Sequence, residues 1–179
     1  SEILHALTAK VTFYRADITD AISVTPIDPN DPNSLYHFKN FNKFRREGVE
    51  VEARTTEYKG LSLSYGYAFN DVRNMDTDTI VEGKARVTHD VGIDYRGPYE
   101  TKSVLKGHYI YWNAPASYNA KDNTFIWDAK VSKYLAKWKG IMGELFASVH
   151  NVTDEKQFLM DELPNPGRWV EGGVSLTFY

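Results

Sequence analysis

Hydrophobicity in this chain alternates with a period of two residues, and this feature constrains the fold most. Between residues 85 and 96 the odd positions are mostly apolar, whereas the even positions carry four charges. Because successive side chains of a β-strand point to opposite faces, this segment predicts a strand with one apolar and one polar face. The same alternation recurs in six further segments: 7–14, 49–54, 61–70, 127–132, 141–150 and 174–178.

An eighth segment, 102–112, is strand-like, but its two faces cannot be assigned from the alternation. The sequence therefore predicts an all-β chain of about eight strands. The connections between them alternate in length. Short ones fall at 56–60, 96–99 and 136–140, and long ones fall at 25–36, 71–83, 113–123 and 153–168.

Alternation of short and long connections is typical of outer-membrane barrels, which have tight periplasmic turns and longer external loops. A barrel closes because every backbone N–H and C=O needs a partner in lipid, and an open sheet edge has none. A soluble β-sandwich would also alternate, with polar residues on its outward faces. The pattern alone leaves both architectures open.

The composition narrows the class of protein. Aromatic residues make up 14% of the chain, which favours strands and suits rings placed at membrane interfaces. The net charge of -3 argues against a nucleic-acid partner, which would require a basic face. The chain has no cysteine, so a disulfide scaffold and a thiolate metal site are excluded. No cofactor is expected.

The end of the chain carries a recognisable set of motifs. Residues 149–154 read Val-His-Asn-Val-Thr-Asp, residues 165–168 read Asn-Pro-Gly-Arg, and residues 173–179 form an alternating strand that ends in two aromatic residues. This set resembles the C-terminal end of TonB-dependent receptors. Segments 13–22 and 48–52 resemble upstream strands of that family, in the family's order. Two departures are that Val152 and Thr153 replace the usual Leu-Phe and that Tyr179 follows the expected terminal aromatic residue.

The resemblance implies a transmembrane antiparallel β-barrel, of which residues 1–179 would supply about eight C-terminal strands out of about 22. The family's plug domain is absent from this stretch. The implied function is part of an outer-membrane receptor of a Gram-negative bacterium for active uptake of a siderophore, cobalamin or other metal chelate. Implied partners are outer-membrane lipid and, through the full-length protein, TonB and the barrel-assembly machinery. The resemblance does not imply an enzyme, and the small-molecule ligand is not identified.

An alternative from another class is a complete eight-stranded outer-membrane barrel with a structural, adhesive or enzymatic role. Eight strands are enough to close a barrel whose lumen is filled by side chains. In either arrangement the polar face of the sheet would line the lumen. Its charged residues are predicted as Lys10, Glu50, Glu52, Arg54, Arg86, Asp90, Asp94, Asp128 and Lys130.

Two groups of functional residues are predicted. The resemblance implies that the last strand is the recognition signal for the assembly machinery, and its residues are Gly173, Val174, Leu176, Phe178 and Tyr179. External-loop candidates for ligand contact are Asp28, Asn30, Asp31, His37 and Trp169. The oxygen-rich segment 28–33 has the ligand type that calcium prefers, but its spacing favours a simple Pro/Asn/Asp turn. No metal site is predicted.

Overall fold

The computed structural model describes residues 6–28, 31, 33–113, 124–135, 140–160 and 163–178. In these residues the regular structure consists of β-strands. Their bounds are β1 Leu7–Pro26, β2 Tyr36–Thr55, β3 Leu61–Asn74, β4 Thr79–Ile80, β5 Ala85–Arg96, β6 Thr101–Trp112, β7 Ile126–Tyr134, β8 Ile141–His150, β9 Phe158–Met160, β10 Leu163–Pro164 and β11 Trp169–Phe178. The described ranges contain no helix long and apolar enough to span a membrane.

The eight long strands form one antiparallel sheet in the order β1-β2-β3-β5-β6-β7-β8-β11. Each long strand therefore pairs with its neighbour in the sequence, as an up-and-down meander requires. The short β4 pairs with β3, and β9 pairs with β10 in a separate two-stranded sheet. In the part of the chain that the structure describes, no ladder joins β1 to β11. Within the described ranges the sheet is a single open wall, without the second layer of a sandwich.

The pairing register places most apolar positions of the long strands, apart from those of β6, on one face. One row across the sheet joins Val11 to Val51, Tyr67, His89 and Tyr109. Val11 in this row is exposed and the other four side chains are half-buried, and Ile110 is the one buried large hydrophobic residue among those described. At the far end of the same stripe, 80% of the Phe13 side chain is exposed. An apolar face this extensive requires a partner, and lipid against a barrel wall provides one.

Tyr14 and Gly48 are paired across β1 and β2 on the polar face. A Cβ at position 48 would collide with the Tyr14 ring and with the carbonyl oxygen of Phe69, so glycine is needed for this close approach. The Tyr14 hydroxyl then donates to Asn70 Oδ1 at 3.1 Å. Arg46 Nε donates to the same oxygen at 2.9 Å. The resemblance motifs around residues 14 and 48 therefore meet in one packed row.

β1 and β2 are longer than the alternation predicts. Each contains 20 residues and spans about 66 Å at 3.3 Å per residue, well beyond an apolar band of about 25 Å. The lipid-side positions of β1 are apolar as far as Phe13 and then become charged at Arg15 and Asp17. The two strands continue beyond the apolar band, where β3 accompanies β2 as far as Phe44 and the rest is two-stranded. We call the described part of residues 15–47 the projecting hairpin.

Two of the predicted long loops also contain strand residues. β3 continues to Asn74 and pairs there with β4, which shortens the second loop. The fourth loop contains β9 and β10, which pair with each other. Residues 114–123, which form most of the third predicted loop, lie outside the described residues.

The alternation places Arg86 on the polar face, and the structure contradicts this. A register shift between Ala85 and Val87 inserts Arg86 as an extra residue opposite β6. A β-bulge re-aims its side chain. The Arg86 guanidinium lies 5.6 Å from the ring centroid of Phe69 and 3.4 Å from Asp71 Oδ1, both on the apolar side of β3.

Val11 and Thr12 are adjacent on β1 and test the assignment of the two faces. Val11 lies on the apolar face, whereas Thr12 lies on the polar face opposite Glu50. In the whole protein, Val11→Lys should lower the free energy of unfolding from bilayers by about 2–4 kcal/mol, because its ammonium meets hydrocarbon. Thr12→Lys should leave it within about 0.5 kcal/mol, because surface substitutions away from special features have small effects. Both changes in the free energy of unfolding can be measured by urea titration, with the folded fraction read from the heat-modifiable mobility on gels. Equal losses of stability in the two variants would contradict the assignment of the two faces.

Candidate functional site: the polar wall and its outer rim

The polar face of the sheet is concave and encloses a groove of about 900 Å³ between β1 and β7. Five of the charged residues predicted for this face line it, namely Lys10, Glu52, Arg54, Asp90 and Asp128. Lys106 and His108 of β6 line it as well and were not predicted. Sequence reasoning missed them because the polar face of β6 also includes Val104 and Ile110, which obscures the alternation.

Charges on this polar wall are balanced. Three cations, Lys10, Arg54 and Lys106, stand against three carboxylates, Glu52, Asp90 and Asp128. His108 Nδ1 lies 2.5 Å from Asp90 Oδ1, its cross-strand partner. Such a wall offers donors and acceptors of both signs to water or to another polar protein surface, and Val104 and Ile110 of β6 add apolar area to it. It has the character of a lumen lining.

A second group of polar residues lies where the wall meets the external connections. His150 stacks on Trp169, with ring centroids 4.0 Å apart and planes tilted by 13°. His150 Nδ1 lies 3.6 Å from Asp128 Oδ2, and its Nε2 lies 3.4 Å from Glu171 Oε1. This rim cluster of Asp128, His150, Trp169 and Glu171 joins the ends of β7, β8 and β11.

Asn151 organises the connection after β8. Its side chain is 3% exposed, and its backbone adopts a φ of 51°, a left-handed conformation that asparagine tolerates better than most residues. Its Nδ2 donates to the carbonyl oxygens of Glu155 at 2.8 Å and Pro166 at 3.2 Å, and its Oδ1 accepts from the Glu155 N–H at 3.0 Å. The Asn151 N–H donates to Asp128 Oδ1 at 2.8 Å. The Asn151 side chain thus closes both ends of the loop, and its backbone N–H fixes the loop to β7.

Asp154 and Arg168 close the same loop from the other side. Asp154 Oδ1 accepts from the Arg168 N–H at 2.7 Å, and Arg168 Nη1 donates to the Val152 carbonyl oxygen at 3.3 Å. Asn151, Asp154 and Arg168 are three of the polar residues of the C-terminal motifs noted in the sequence. The motifs therefore have a structural explanation: they form the hydrogen bonds that hold the external loop in one shape.

Gln157 anchors this loop to a third strand and was not predicted. It is 1% exposed, and its Nε2 donates to the Thr124 carbonyl oxygen at 3.2 Å and to the His108 carbonyl oxygen at 3.5 Å. Its N–H donates to Asn165 Oδ1 at 2.5 Å. Its acceptors are mostly backbone carbonyls, which no sequence pattern marks.

The predicted ligand-contact residues lie in two separate places. Asp28 and Asp31 are in the connection between β1 and β2, next to His37 near the start of β2, whereas Trp169 is at the start of β11, at the other end of the strand order. Asn30 lies outside the described residues.

The oxygen-rich connection forms a turn. Asp31 Oδ1 accepts from the Asn33 N–H at 2.9 Å, and the Asp31 carbonyl oxygen accepts from the Ser34 N–H at 3.0 Å. No group of three or more His, Asp or Glu residues with metal-binding geometry occurs among the described side chains. These hydrogen bonds are the ones expected of a simple turn. The ligand-contact roles of the loop residues stay predictions.

The predicted assembly signal lies on β11, which pairs with β8 along its whole length. Val174, Leu176 and Phe178 are 59%, 56% and 70% exposed and continue the apolar face, whereas Gly173 lies on the polar face beside the Phe146 ring. Tyr179 lies outside the described residues. The role of this strand as a signal stays a prediction.

Asn151 gives a direct test of the loop geometry. Asn151→Ala removes three side-chain hydrogen bonds and places alanine at a positive φ, so the closed loop should lose about 2–4 kcal/mol. Hydrogen exchange of the amides in residues 151–157 should accelerate in the whole protein, as followed by mass spectrometry. Asn113→Ala is the matched control, because the Asn113 side chain donates one 3.4 Å bond to Val81 in a different connection. Unchanged exchange in Asn151→Ala would contradict the loop assignment.

Comparisons with known proteins identify the fold. No family model and no curated protein sequence matches the chain. Three solved structures match well: the copper transporter OprC at 16% identity and a TM-score of 0.72, the ferric enterobactin receptor PfeA of Pseudomonas aeruginosa at 18% and 0.63, and the FrpB iron transporter of Neisseria meningitidis at 18% and 0.60.

The matches cover 94%, 97% and 94% of this chain, respectively. The chain itself spans 29% of the length of each of these proteins. All three are TonB-dependent receptors built on outer-membrane β-barrels. They are transporters or receptors rather than enzymes. The predicted fold and the resemblance are therefore confirmed at the level of structure: the chain has the fold of a contiguous part of a TonB-dependent receptor barrel.

Proposed function

We propose that this chain forms the C-terminal wall of the barrel of a TonB-dependent receptor. The observation that carries the proposal is the single-layer sheet, which is apolar and exposed on one face and polar and concave on the other. Its order ends at β1 and β11 without a ladder between them in the described residues. In the proposed receptor, β1 and β11 pair with the strands of a longer protein, which completes a barrel of about 22 strands.

The proposed location is the outer membrane of a Gram-negative bacterium, with the apolar face against lipid. TonB and the barrel-assembly machinery act on the full-length protein, and β11 supplies the assembly signal. The polar wall then faces the water-filled lumen and the plug domain, whose polar surface it suits because the charges of the wall are balanced. The four external connections lie at one edge of the sheet and contribute to the extracellular side.

The proposed activity of the whole receptor is active uptake of a scarce nutrient, namely a siderophore, cobalamin or another metal chelate. The names of the matched structures support this class, since they are a copper transporter, a ferric enterobactin receptor and an iron transporter. The eight-stranded alternative requires β1 to pair with β11, and the ladder order of the described residues does not include that pair.

The size of the native gene product tests the proposed architecture. An antibody to this segment should detect, in isolated outer membranes, a denatured band about three times larger than 20.5 kDa, because the chain spans 29% of the matched receptors. A band at 20.5 kDa would overturn the proposal in favour of a self-closing small barrel. Absence of the band from the outer-membrane fraction would overturn the proposed location.

Uptake in the native organism tests the activity. A strain that lacks the gene should accumulate severalfold less of one compound from a panel of radiolabelled iron chelates, copper and cobalamin, and a plasmid copy should restore uptake. A protonophore should abolish the restored uptake, because transport of this class is driven by the proton-motive force. Uptake that persists with the protonophore would indicate a passive channel and contradict the proposal.

A further inference from the structure

A group of charged side chains lies on the lipid side of the sheet, directly above the apolar face. We call it the outer charged cluster, defined as Arg15, Asp17, Arg45, Asp71, Arg73 and Arg86. Its strand positions follow the register of the apolar stripe: Phe13 pairs with Val49, and two residues further along β1 Arg15 pairs with Glu47. Asp17 pairs with Arg45, and Arg45 pairs with Arg73. The function proposed above makes no use of this cluster.

Asp17 holds two arginines together. Arg45 Nε donates to Asp17 Oδ1 at 2.8 Å, and Arg15 Nε donates to Asp17 Oδ2 at 3.1 Å. The hydrogen bonds from Arg45 and Arg15 lower the pKa of the Asp17 carboxyl below its usual value, so the carboxylate stays charged. Because both arginines use Nε, their terminal nitrogens have no described protein partner. The two guanidiniums thus lie against the two oxygens of one carboxylate, with the Arg15 side chain 53% exposed and the Arg45 side chain 28% exposed.

The second half of the cluster is built around Asp71. Asp71 is 6% exposed, and its Oδ2 accepts from Arg73 Nε at 2.6 Å. Arg86 Nη2 lies 3.4 Å from Asp71 Oδ1, an oxygen that has no hydrogen-bond partner among the described residues. Arg73 Nη1 also lies 3.5 Å from Asp78. This half connects β3 and β5 beside Arg15 and Arg45, and its two arginines are balanced by Asp71 and Asp78.

The height of the cluster places it at the membrane surface. Arg15 is two residues beyond Phe13, and Asp17 with Arg45 is four residues beyond it, about 7 and 13 Å along the strand. With a strand tilt of about 40°, these distances correspond to roughly 5 and 10 Å above the apolar band. The polar headgroup region of a bilayer occupies this zone.

The charge of this zone is positive. Outward-facing positions of β1, β2, β3 and the bulge carry five cations, Arg15, Lys43, Arg45, Arg73 and Arg86, against three carboxylates, Asp17, Glu47 and Asp71. A fourth carboxylate, Asp78, lies against Arg73, so the net charge of the zone is +1. An arginine-rich surface in the headgroup zone attracts lipid phosphate. The planar guanidinium also matches the geometry of a phosphate group, with two parallel hydrogen bonds.

We propose that Arg15 and Arg45, held together by Asp17, form a binding site for the phosphate group of an outer-leaflet lipid. The proposal rests on the proposed function, because it requires the apolar face to lie in a membrane. The occupant is a lipid rather than free phosphate, since the exposed stripe of Val11, Phe13 and Val49 directly below offers a surface for acyl chains. The site would bind one lipid tightly against the outside of the barrel.

The experiment uses detergent-purified full-length protein and native mass spectrometry. The probes are bisphosphorylated lipid A and the same lipid after enzymatic removal of its phosphates. Wild-type protein should prefer the phosphorylated lipid by about tenfold or more, since each arginine contributes about 1 kcal/mol. Arg15→Gln/Arg45→Gln should lose this preference, and binding of the dephosphorylated lipid should be unchanged. Retention of the preference in this double variant would overturn the proposal.

The matched control is Arg96→Gln/Lys102→Gln, which removes two cations at the opposite edge of the sheet, where the short turn between β5 and β6 lies. It should retain the preference, and an equal loss there would overturn the proposed site. Inorganic phosphate should not displace the lipid, and displacement would indicate a free-phosphate site instead. Outer-membrane fractionation of the same variants separates failure of this proposal from failure of the proposed function.

A third variant covers the case in which the double variant does not fold. Asp17→Asn removes one negative charge and replaces one of the two carboxylate oxygens with an amide nitrogen, so only one of the two guanidiniums keeps its acceptor. If Asp17 holds the two arginines in a phosphate site, Asp17→Asn should show a severalfold smaller preference for the phosphorylated lipid than wild-type protein. A larger preference would show general electrostatic attraction to the surface, and it would overturn the two-arginine site.

Discussion

Hydrogen bonds between neighbouring strands hold each long strand of this chain in a fixed register with the next. Because the side-chain period of a strand is two, this register decides the face of every residue at once. A slip of one position in β5 would move His89 to the polar face and Asp90 into the apolar stripe. The apolar face, the concave groove and the rim cluster therefore all depend on the same ladder, rather than on a packed interior.

The outward side chains change from apolar to charged along the strands, although the pairing between strands continues in the same register. In β1 the outward side is aliphatic and aromatic as far as Phe13, and beyond that point it carries the charged residues Arg15 and Asp17. A similar change occurs in β3 between Phe69 and Asp71. The change from apolar to charged outward residues thus falls at the same level in β1, β2 and β3, as expected at a membrane boundary. The projecting hairpin lies beyond this level.

The sequence predicted the eight long strands and, apart from β6, their two faces, because alternation directly reports which face is apolar. It failed for Arg86, since alternation cannot reveal that a bulge inserts one extra residue. It also ended β1 near Tyr14, because the apolar stripe used to recognise a strand stops there, whereas the backbone pairing continues to Pro26.

The candidate site was predicted only in part, for a related reason. Side chains such as Glu52 and Asp90 belong to clean alternating strands and were assigned to the polar wall from sequence. Lys106 and His108 belong to a strand with apolar residues on both faces. Gln157 and Asn151 act on backbone carbonyls and amides that are distant in sequence. The family motif pointed to Asn151, but only the structure shows that this residue closes the loop.

The projecting hairpin has a mechanical consequence. Its two strands keep one register from Leu7 opposite Thr55 to Pro26 opposite Tyr36, but the ladder skips Asp20, which has a φ of 54°. The ribbon therefore has one weaker position, three residues beyond Asp17. A displacement of the hairpin beyond Asp20 reaches the wall less completely than a displacement at the charged level around Asp17.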